Sequence, residues 1–333
     1  MATADNGNFR EVTWRGVSCG AKAYLWYTRK VPSHWAKLRL ARYLGKYFFR
    51  QGLPLINQWG ARIQVDISRA DFIPHSLVYG GAWEPKSLAL AVNLMNAGGV
   101  FLDIGCHFGL YTCTVGKLDG VSCICIEPSP LAFLDLQKNL SLNPQVKARL
   151  VHAGVSSKTM IHSFGNTSAH NSGTARVLAN DNSHSEKCLI ACLSLNDVLA
   201  RIKPQQRIRL MKIDVEGHEL EVFKGLDWSG PFRPENIITE FDPSLLLHAN
   251  GSPEEFLKFF DENDYDVLAI TGEPFHNSLP LPEENVWLRS RQAKPAPPED
   301  KFKLENAVND LSCVSGAEVD EARLSAHCPG ERL

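Results

Sequence analysis

Hydrophobic positions along the middle of the chain follow two alternating periods. Short runs of consecutive apolar residues mark strands buried on both faces. Stretches with apolar residues three and four apart mark amphipathic helices. Gly99 to Ile104 (GVFLDI) reads as a buried strand ending at a glycine turn, and Leu110 to Leu118 as a helix. Val121 to Ile126 and Leu131 to Leu142 repeat the pair, and Ala148 to Val155 adds a third strand. Ser194 to Ile202 is helical, with Asp197 near its start. Arg209 to Asp214 is a strand, His218 to Leu226 a helix and Asn236 to Phe241 a strand. Ser252-Pro253-Glu254-Glu255 opens another helix with a capping-box pattern and proline at its first helical position. Asp266 to Ile270 and Asn285 to Arg289 supply two last strands.

Strands alternating with helices predict an α/β domain: a mostly parallel, Rossmann-like sheet covered on both faces. In such sheets ligands bind beyond the carboxyl ends of the strands, where the strand order reverses. Asp103, Glu127, Asp214 and Glu240 each end a predicted strand and are therefore site candidates. Ser163 to Lys187 interrupts the rhythm with a polar stretch rich in Ser, Asn, His and Gly. It is expected to be a loop, serving as a lid or hairpin over the substrate. His170 and His184 read as plain loop residues.

The flanks differ. From Val12 to Arg50 the chain carries nine Lys/Arg and no Asp/Glu. Within that stretch SHWAKLRLARYLGKYFFR reads as an amphipathic helix. Arg39, Arg42, Lys46 and Arg50 fall on one stripe, and Ala36, Leu40, Tyr43, Leu44 and Tyr47 on another. Two readings stand: a helix packed on the core with a solvated basic face, or a helix that docks substrate or makes a weak membrane-surface contact. Arg291 to Leu333 has little apolar periodicity and reads as a flexible tail. The expected organisation is a basic, partly helical region over 1–74, the α/β domain over 75–290 and a tail over 291–333.

Composition narrows the classes. With 44% hydrophobic and 22% charged residues the chain is globular. Lys+Arg of 35 against Asp+Glu of 37 gives a formal net charge of −2, which offers nucleic acid no global attraction. No apolar run reaches the ~18 residues of a membrane span. The polar start MATADNGNFREV lacks a signal-peptide core, so a cytoplasmic protein is the expectation. Nine cysteines with no C-x-x-C pair argue against a disulfide framework or a structural zinc site. Cys123 and Cys125 alternate within an apolar run, as thiols on one face of a buried strand do.

The strongest chemical signal is VFLDIGCHFGLYT. A strand delivers Asp103, and Gly105 and Gly109 frame a tight turn into a helix. The spacing is D-x-G-x-x-x-G, not the G-x-G-x-x-G that cradles a pyrophosphate. An acid before the loop repels a pyrophosphate and suits a cation such as S-adenosylmethionine, whose amino-acid end Asp103 can meet directly or through water. Glu127, in CICIEPSP, comes twenty-four residues after Asp103 at the end of the second strand. An acid there can accept both ribose hydroxyls. The plainer alternative is a glycine turn needed for packing, with Glu127 a surface acid.

The second signal is RLMKIDVEGHELEVFKG. Period-two alternation puts Lys212 and Asp214 on one face of the strand, and Glu216, Gly217, His218 and Glu219 lead into a helix. Asp214 and Glu216 can orient a substrate hydroxyl or take its proton, and His218 has the intrinsic pKa of a general base. The alternative makes the acids caps and anchors for the helix. Asp214 and Glu240, at neighbouring strand ends, have the chemistry to hold magnesium. No third ligand is identifiable, so no metal is assigned.

These residues resemble the FkbM family of S-adenosylmethionine-dependent methyltransferases. The matching stretches are GGVFLDIGCHFGLYT, ICIEPSPLAFLDLQKNLSLN, SLNDVLARI, LMKIDVEGHELEVFKG and PENIITEF, in the family's order and spacing. The resemblance implies a class I methyltransferase sheet of seven strands. It implies a cofactor site at Asp103, Gly105, Cys106, His107, Phe108, Gly109, Glu127 and Pro128. GAWEP at Gly81 to Pro85 looks like the family's short element before the first strand and implies Trp83 or Glu84 near the ligand. Glu216, Asp214 and His218 are then the catalytic candidates, and Glu240, Lys212 and Trp83 the substrate-binding ones. His107, Phe108 and His218 depart from the commoner Asn, Ile and Ala of the family. The implied activity is O-methylation of a hydroxyl on a small molecule or glycan by in-line transfer. The rival readings are a methyltransferase acting on RNA or protein, for which the basic first region is the only support, and a non-catalytic binding module on the same fold.

Overall fold

The structure, a computed structural model, describes residues 9–11, 19–30, 43–45, 47–48, 52–66, 72–80, 83–166, 175–177, 188–248, 251–275 and 284–293. A small antiparallel sheet comes first, in the order β1 (Phe9–Glu11), β2 (Leu53–Asn57), β3 (Arg62–Val65). A helix not among the expected elements, Cys19–Lys30, lies between β1 and β2. Of the amphipathic helix expected before Arg50, residues 43–45 and 47–48 are helical and the remainder lies outside the described residues, as do His170, His184 and the tail from 294.

The central sheet takes β4 (Gly99–Ile104), β5 (Val121–Ile126), β6 (Ala148–Val151), β11 (Ile208–Ile213), β12 (Asn236–Phe241), β13 (Tyr265–Ala269) and β14 (Glu284–Ser290). A second sheet takes β7 (Gly154–Val155), β8 (Met160–Asn166), β9 (Ala175–Val177) and β10 (Cys188–Leu193). The central order is β13-β14-β12-β11-β4-β5-β6. Every pairing is parallel except those of β14, which runs against both β12 and β13. The seven-stranded, doubly wound sheet expected from the resemblance is thus present. Its order reverses between β4 and β11, which places the ligand crevice at their carboxyl ends.

Period-two alternation sorts the strand residues onto two cores. Phe101 of β4, Cys123 and Cys125 of β5 and Leu210 of β11 join one buried cluster with the helices Pro85–Met95, Leu110–Val115 and Pro130–Ser141. Val100, Leu102, Ile104, Ile124, Ile126, Met211 and Ile213 join the other, with the helices Leu195–Ile202, Glu219–Lys224 and Pro253–Glu262. Cys123 and Cys125 therefore share one face, as their alternation implies. Capping holds as well: the Ser252 hydroxyl accepts from the Glu255 N–H at 3.0 Å, and the Ser194 hydroxyl accepts from the Asp197 N–H at 3.1 Å. The β2–β3 hairpin packs into the first core through Leu55, Ile63 and Val65. It is stitched there by asparagine: Asn139 accepts from the Gln64 N–H at 2.7 Å and donates to the Phe108 carbonyl at 2.9 Å. That bond fixes the loop after β4 from behind.

Two expectations change. The third strand is not continuous: β6 stays in the central sheet, whereas β7 leaves it to pair with β10. The polar stretch after Ser163 is not all loop, and of its two expected forms the hairpin is present: Ser163 to Asn166 belong to β8, and 175–177 form β9, antiparallel to it. β8 pairs antiparallel with β10 on one side and with β9 on the other. One face of that ribbon stays in solvent, with Ile161 and Leu189 exposed, so no apolar alternation betrays the strands. Among the described residues no helix is long and apolar enough to cross a membrane.

Candidate active site

Register lines up the strand ends. Asp103 lies beside Lys212, and Ile104 has Ile213 on one side and Ile126 on the other. Thr239 follows beside Ile213. The residues just beyond these positions wall an open cleft of about 860 Å³, counted out to its mouth.

On one wing the loop after β4 supplies Gly105 and His107, and the end of β5 supplies Glu127 and Pro128. Gly105 has φ +74°, and a Cβ there would sit 1.8 Å from the Asp214 carbonyl oxygen. The glycine lets the β4 loop cross the start of the β11 loop. Gly109 has φ +85°, and its missing Cβ makes room for Leu136 rather than for a ligand. Glu127 is held at both oxygens: the His107 N–H donates to Oε2 at 2.8 Å and the Ser129 N–H to Oε1 at 2.8 Å. Burial pushes its pKa up to about 7, against those two bonds. Each oxygen keeps a second acceptor direction. The pair therefore fits the two adjacent hydroxyls of a ribose, with the bare backbone of Gly105 and Gly154 along the same wall.

Asp103 is placed differently from the expectation. It is buried and does not line the cleft. Its carboxylate accepts a 2.6 Å bond from the Thr112 hydroxyl, and burial pushes its pKa up to about 6. Asp103 thus braces the loop onto the helix Leu110–Val115 from beneath the cleft wall. Cys106, Phe108 and Gly109 also stay off the cleft wall. Cys106 and Phe108 turn into the first core because the loop folds back between Gly105 and Gly109.

On the other wing Trp83, Glu84, Asp214, Glu216, His218 and Glu240 line the cleft. Lys212 does not: it is buried beneath, its ammonium 3.1 Å from Asp214 and 3.9 Å from Glu84, and 5.4 Å from the Tyr111 ring centre. Burial alone would lower the Lys212 pKa, but Asp214 and Glu84 outweigh it and the ammonium is held above its usual range. Glu240 moves the other way. Burial, then repulsion from Asp214, Glu219 and Glu216, holds its carboxyl well above the usual range. His218 is pulled down to about 4, chiefly by burial. Its Nε2 lies 3.0 Å from the Ser156 hydroxyl, and its ring meets that of His162 edge-on at 5.9 Å. The turn before it is braced from inside by Glu219, whose Oε1 accepts from the N–H groups of Val215 and Gly217.

Backbone strain gathers here. Among the described residues five non-glycines have positive φ, and three of them, Glu84 (43°), His107 (49°) and Glu216 (56°), line the cleft. Such conformations persist where surrounding contacts over-determine them, which is common at functional sites. Glu84 shows those contacts: it accepts from the Tyr111 hydroxyl at 2.7 Å and from Asn285 Nδ2 at 2.9 Å. GAWEP signalled Glu84 in the sequence, but Tyr111 and Asn285 carry no local signal. Ile73 and, from the second sheet, Phe164 and Val177 also line the cleft and were legible only as apolar residues. Asp214 and Glu240 do approach each other at the strand ends, but among the described residues no group of three or more His, Cys, Asp or Glu could hold a metal ion.

Residues 103–267 match the family model of the methyltransferase FkbM domain. The chain is similar to "Methyltransferase 1" of Beauveria bassiana, 24% identical over 156 residues, covering 42% of this chain and 63% of that protein. It is similar to "Hexuronic acid methyltransferase AglP" of Haloferax volcanii, 28% identical over 163 residues, covering 49% of this chain and 62% of that protein. The chain thus spans under two thirds of the length of these curated relatives. A solved structure of a human methyltransferase 10 domain containing protein aligns over 79% of this chain and 100% of that one, with 10% identity and a TM-score of 0.40.

Proposed function

We propose that this chain, whose residues 103–267 carry the methyltransferase FkbM domain, moves a methyl group from S-adenosylmethionine to a hydroxyl of a small molecule or glycan. The observation that carries the reading is Glu127, buried at the end of β5 with both oxygens pinned by backbone N–H groups and open to the cleft. Glu127, Gly105, His107 and Pro128 would hold the nucleoside. When bound, S-adenosylmethionine supplies an activated methyl on a sulfonium carbon. The name of the Haloferax relative, a hexuronic acid methyltransferase, supports a sugar-like acceptor.

The chain's own part is to place the acceptor oxygen and remove its proton. Glu216 and Asp214 face the cleft side by side and take that role. Glu240, which burial and its acidic neighbours hold toward the protonated form, lines the same wing and orients the acceptor. His218, pulled down to about 4, is neutral at pH 7 but a weak base, and its ring is engaged with Ser156. It serves as a wall and a brace. Lys212 keeps Asp214 in position from below. Buried unpaired thiols at Cys106, Cys113, Cys123, Cys125 and Cys192 support a reducing, cytoplasmic setting.

The experiment is a transfer assay with methyl-labelled S-adenosylmethionine and a panel of hydroxylated metabolites. Label is expected on oxygen, and Glu216→Gln is expected to slow it by roughly 10²–10⁴-fold. Label on nitrogen or carbon, or unchanged turnover in the variant, contradicts the assignment.

A further inference from the structure

We infer that Asn139, which lies behind the cleft wall, is a positioning residue for the nucleoside site. Through the Phe108 carbonyl it holds the loop that aims the His107 N–H at Glu127, and the β2–β3 hairpin holds Asn139 in turn. The inference rests on the methyl-transfer reading. It extends that site to a hairpin preceding the FkbM match at residues 103–267.

His107 has to be held. Its φ of 49° is left-handed, a conformation that a non-glycine residue keeps where neighbouring contacts enforce it. Before it, the N–H groups of Gly105 and Cys106 donate to the Ile126 carbonyl at 2.9 and 3.3 Å, which ties that side of the loop to β5. After it, the Gly109 N–H donates to the Cys106 carbonyl at 2.8 Å and closes the turn. Asn139 Nδ2 donates to the Phe108 carbonyl at 2.9 Å and ties this second side to the helix Pro130–Ser141. The next residue is Gly109, at φ +85°, where the backbone turns without steric penalty. With the Phe108 carbonyl released, the loop relaxes at His107, and the His107 N–H leaves the Glu127 Oε2 that it meets at 2.8 Å.

The hairpin supplies the other half. Asn139 Oδ1 accepts from the Gln64 N–H at 2.7 Å, so the amide is used at both ends. Turned over, it would set donor against donor and acceptor against acceptor. Asn143, one turn on, accepts from the Arg62 N–H at 2.9 Å and donates to the Arg62 carbonyl at 2.6 Å and the Asn139 carbonyl at 2.8 Å. At the hairpin's turn, Asn57 Nδ2 donates to the Thr114 hydroxyl at 2.8 Å, on the helix that follows the loop. The hairpin is thus bonded to both helices that flank the loop. Asn139 and Asn143 are fully buried, and a buried amide costs stability unless both of its ends are matched. Apolar side chains alone would pack a hairpin on a helix. Matched amides also fix where the two elements meet.

Glu127 reports the coupling. Asp103 of β4, Asp214 after β11 and the Cys106 thiol face it; the two acids push its pKa up, and the N–H groups of His107 and Ser129 oppose them. Losing the His107 N–H therefore raises it further. The test titrates S-adenosylhomocysteine calorimetrically into the full chain between pH 6 and pH 9. Wild-type binding is expected to tighten as pH rises through about 7, where Glu127 ionises and becomes the better ribose acceptor. Asn139→Leu removes both amide bonds at similar volume. It is expected to bind at least about fivefold more weakly at pH 7, with the midpoint moved to higher pH. Gln64→Pro removes the N–H that Asn139 accepts, on an edge strand that tolerates proline. It is expected to move both readings the same way by less, roughly twofold in affinity. A folded Asn139→Leu with unchanged affinity, or with weaker binding at an unmoved midpoint, overturns the inference. If Asn139→Leu does not fold, Gln64→Pro decides by the same two readings. A wild-type chain that binds no S-adenosylhomocysteine fails the methyl-transfer reading and takes the inference with it. Wild-type binding with variants that match it fails the inference alone.

Discussion

The Thr112 hydroxyl donates a 2.6 Å hydrogen bond to the Asp103 carboxylate, nine residues back along the chain and wholly inside the protein. The bond joins the end of β4 to the helix that follows the glycine loop. It favours the ionised form of an acid that burial, against this bond, still pushes up to about 6. Thr112→Val removes it. The variant is expected to lose about 1–3 kcal/mol. The loss grows as pH rises through about 6, because the ionised carboxylate is the form that needs the donor. Urea unfolding at pH 5 and pH 8 measures this, and an equal loss at both pH values contradicts it.

Glu127 gives a pH prediction of known sign. Its pKa is raised from 4.5 to about 7 by burial. The folded state therefore holds a proton that the unfolded state releases over that window, and Glu127 destabilises the ligand-free fold increasingly as pH climbs from about 4.5 to 7. Glu127→Gln cannot ionise. Its stability relative to wild type is expected to improve across the same window and level off above it. A difference that stays flat, or runs the other way, would mean that the carboxyl is ionised throughout.

Glu84 separates strain from contact. Its φ of 43° is left-handed, and its carboxylate accepts from Tyr111 and Asn285. Glu84→Ala and Glu84→Gly lose the same two bonds, but glycine adopts that backbone freely. The glycine variant is expected to be about 1 kcal/mol more stable than the alanine variant, and both less stable than wild type. Thermal unfolding of the three proteins decides it. Equal stability of the two variants would remove the strain.

Gly105 and Gly109 predict unequal costs. A Cβ at Gly105 meets backbone, the Asp214 carbonyl at 1.8 Å. At Gly109 it meets the end of the Leu136 side chain at 2.4 Å, which can rotate aside. Gly105→Ala is expected to separate the β4 and β11 loops and abolish nucleoside binding. Gly109→Ala is expected to cost stability while retaining binding. Calorimetry on both variants checks the order, and the reverse ranking contradicts the placement of the two loops.

The fold was legible because the four inner strands β4, β5, β11 and β12 are buried on both faces. GVFLDI, VSCICI, IRLMKI and NIITEF are near-continuous apolar runs, and the structure places all four at or within a residue of the expected bounds. The second sheet was not legible, since Ile161 and Leu189 point to solvent and polar residues lie between. At the site, strand-end logic found Glu127, Asp214 and Glu240, because the carboxyl end of a parallel strand is where side chains leave the sheet. It also named Asp103, and the resemblance implied Lys212; the structure buries both beneath the cleft wall. Asp103 sits one position before Ile104, and Lys212 two before Asp214, the first residues at their strand ends to line the cleft; the two lie side by side on the face that packs under the helix Leu110–Val115. Alternation gives the face of a residue but not the depth at which its strand ends. Glu84 was marked by its motif, whereas its partners Tyr111 and Asn285 come from 27 and 201 residues away and only folding joins them.

The central claim is that Glu127 and the loop after β4 hold the nucleoside of the methyl donor. Calorimetric titration of S-adenosylhomocysteine into the wild-type chain and into Glu127→Ala tests it most directly. The account predicts saturable binding to the wild type and a loss of at least about tenfold in a variant that remains folded by circular dichroism. Undiminished binding to Glu127→Ala, or none to a folded wild-type chain, would contradict it.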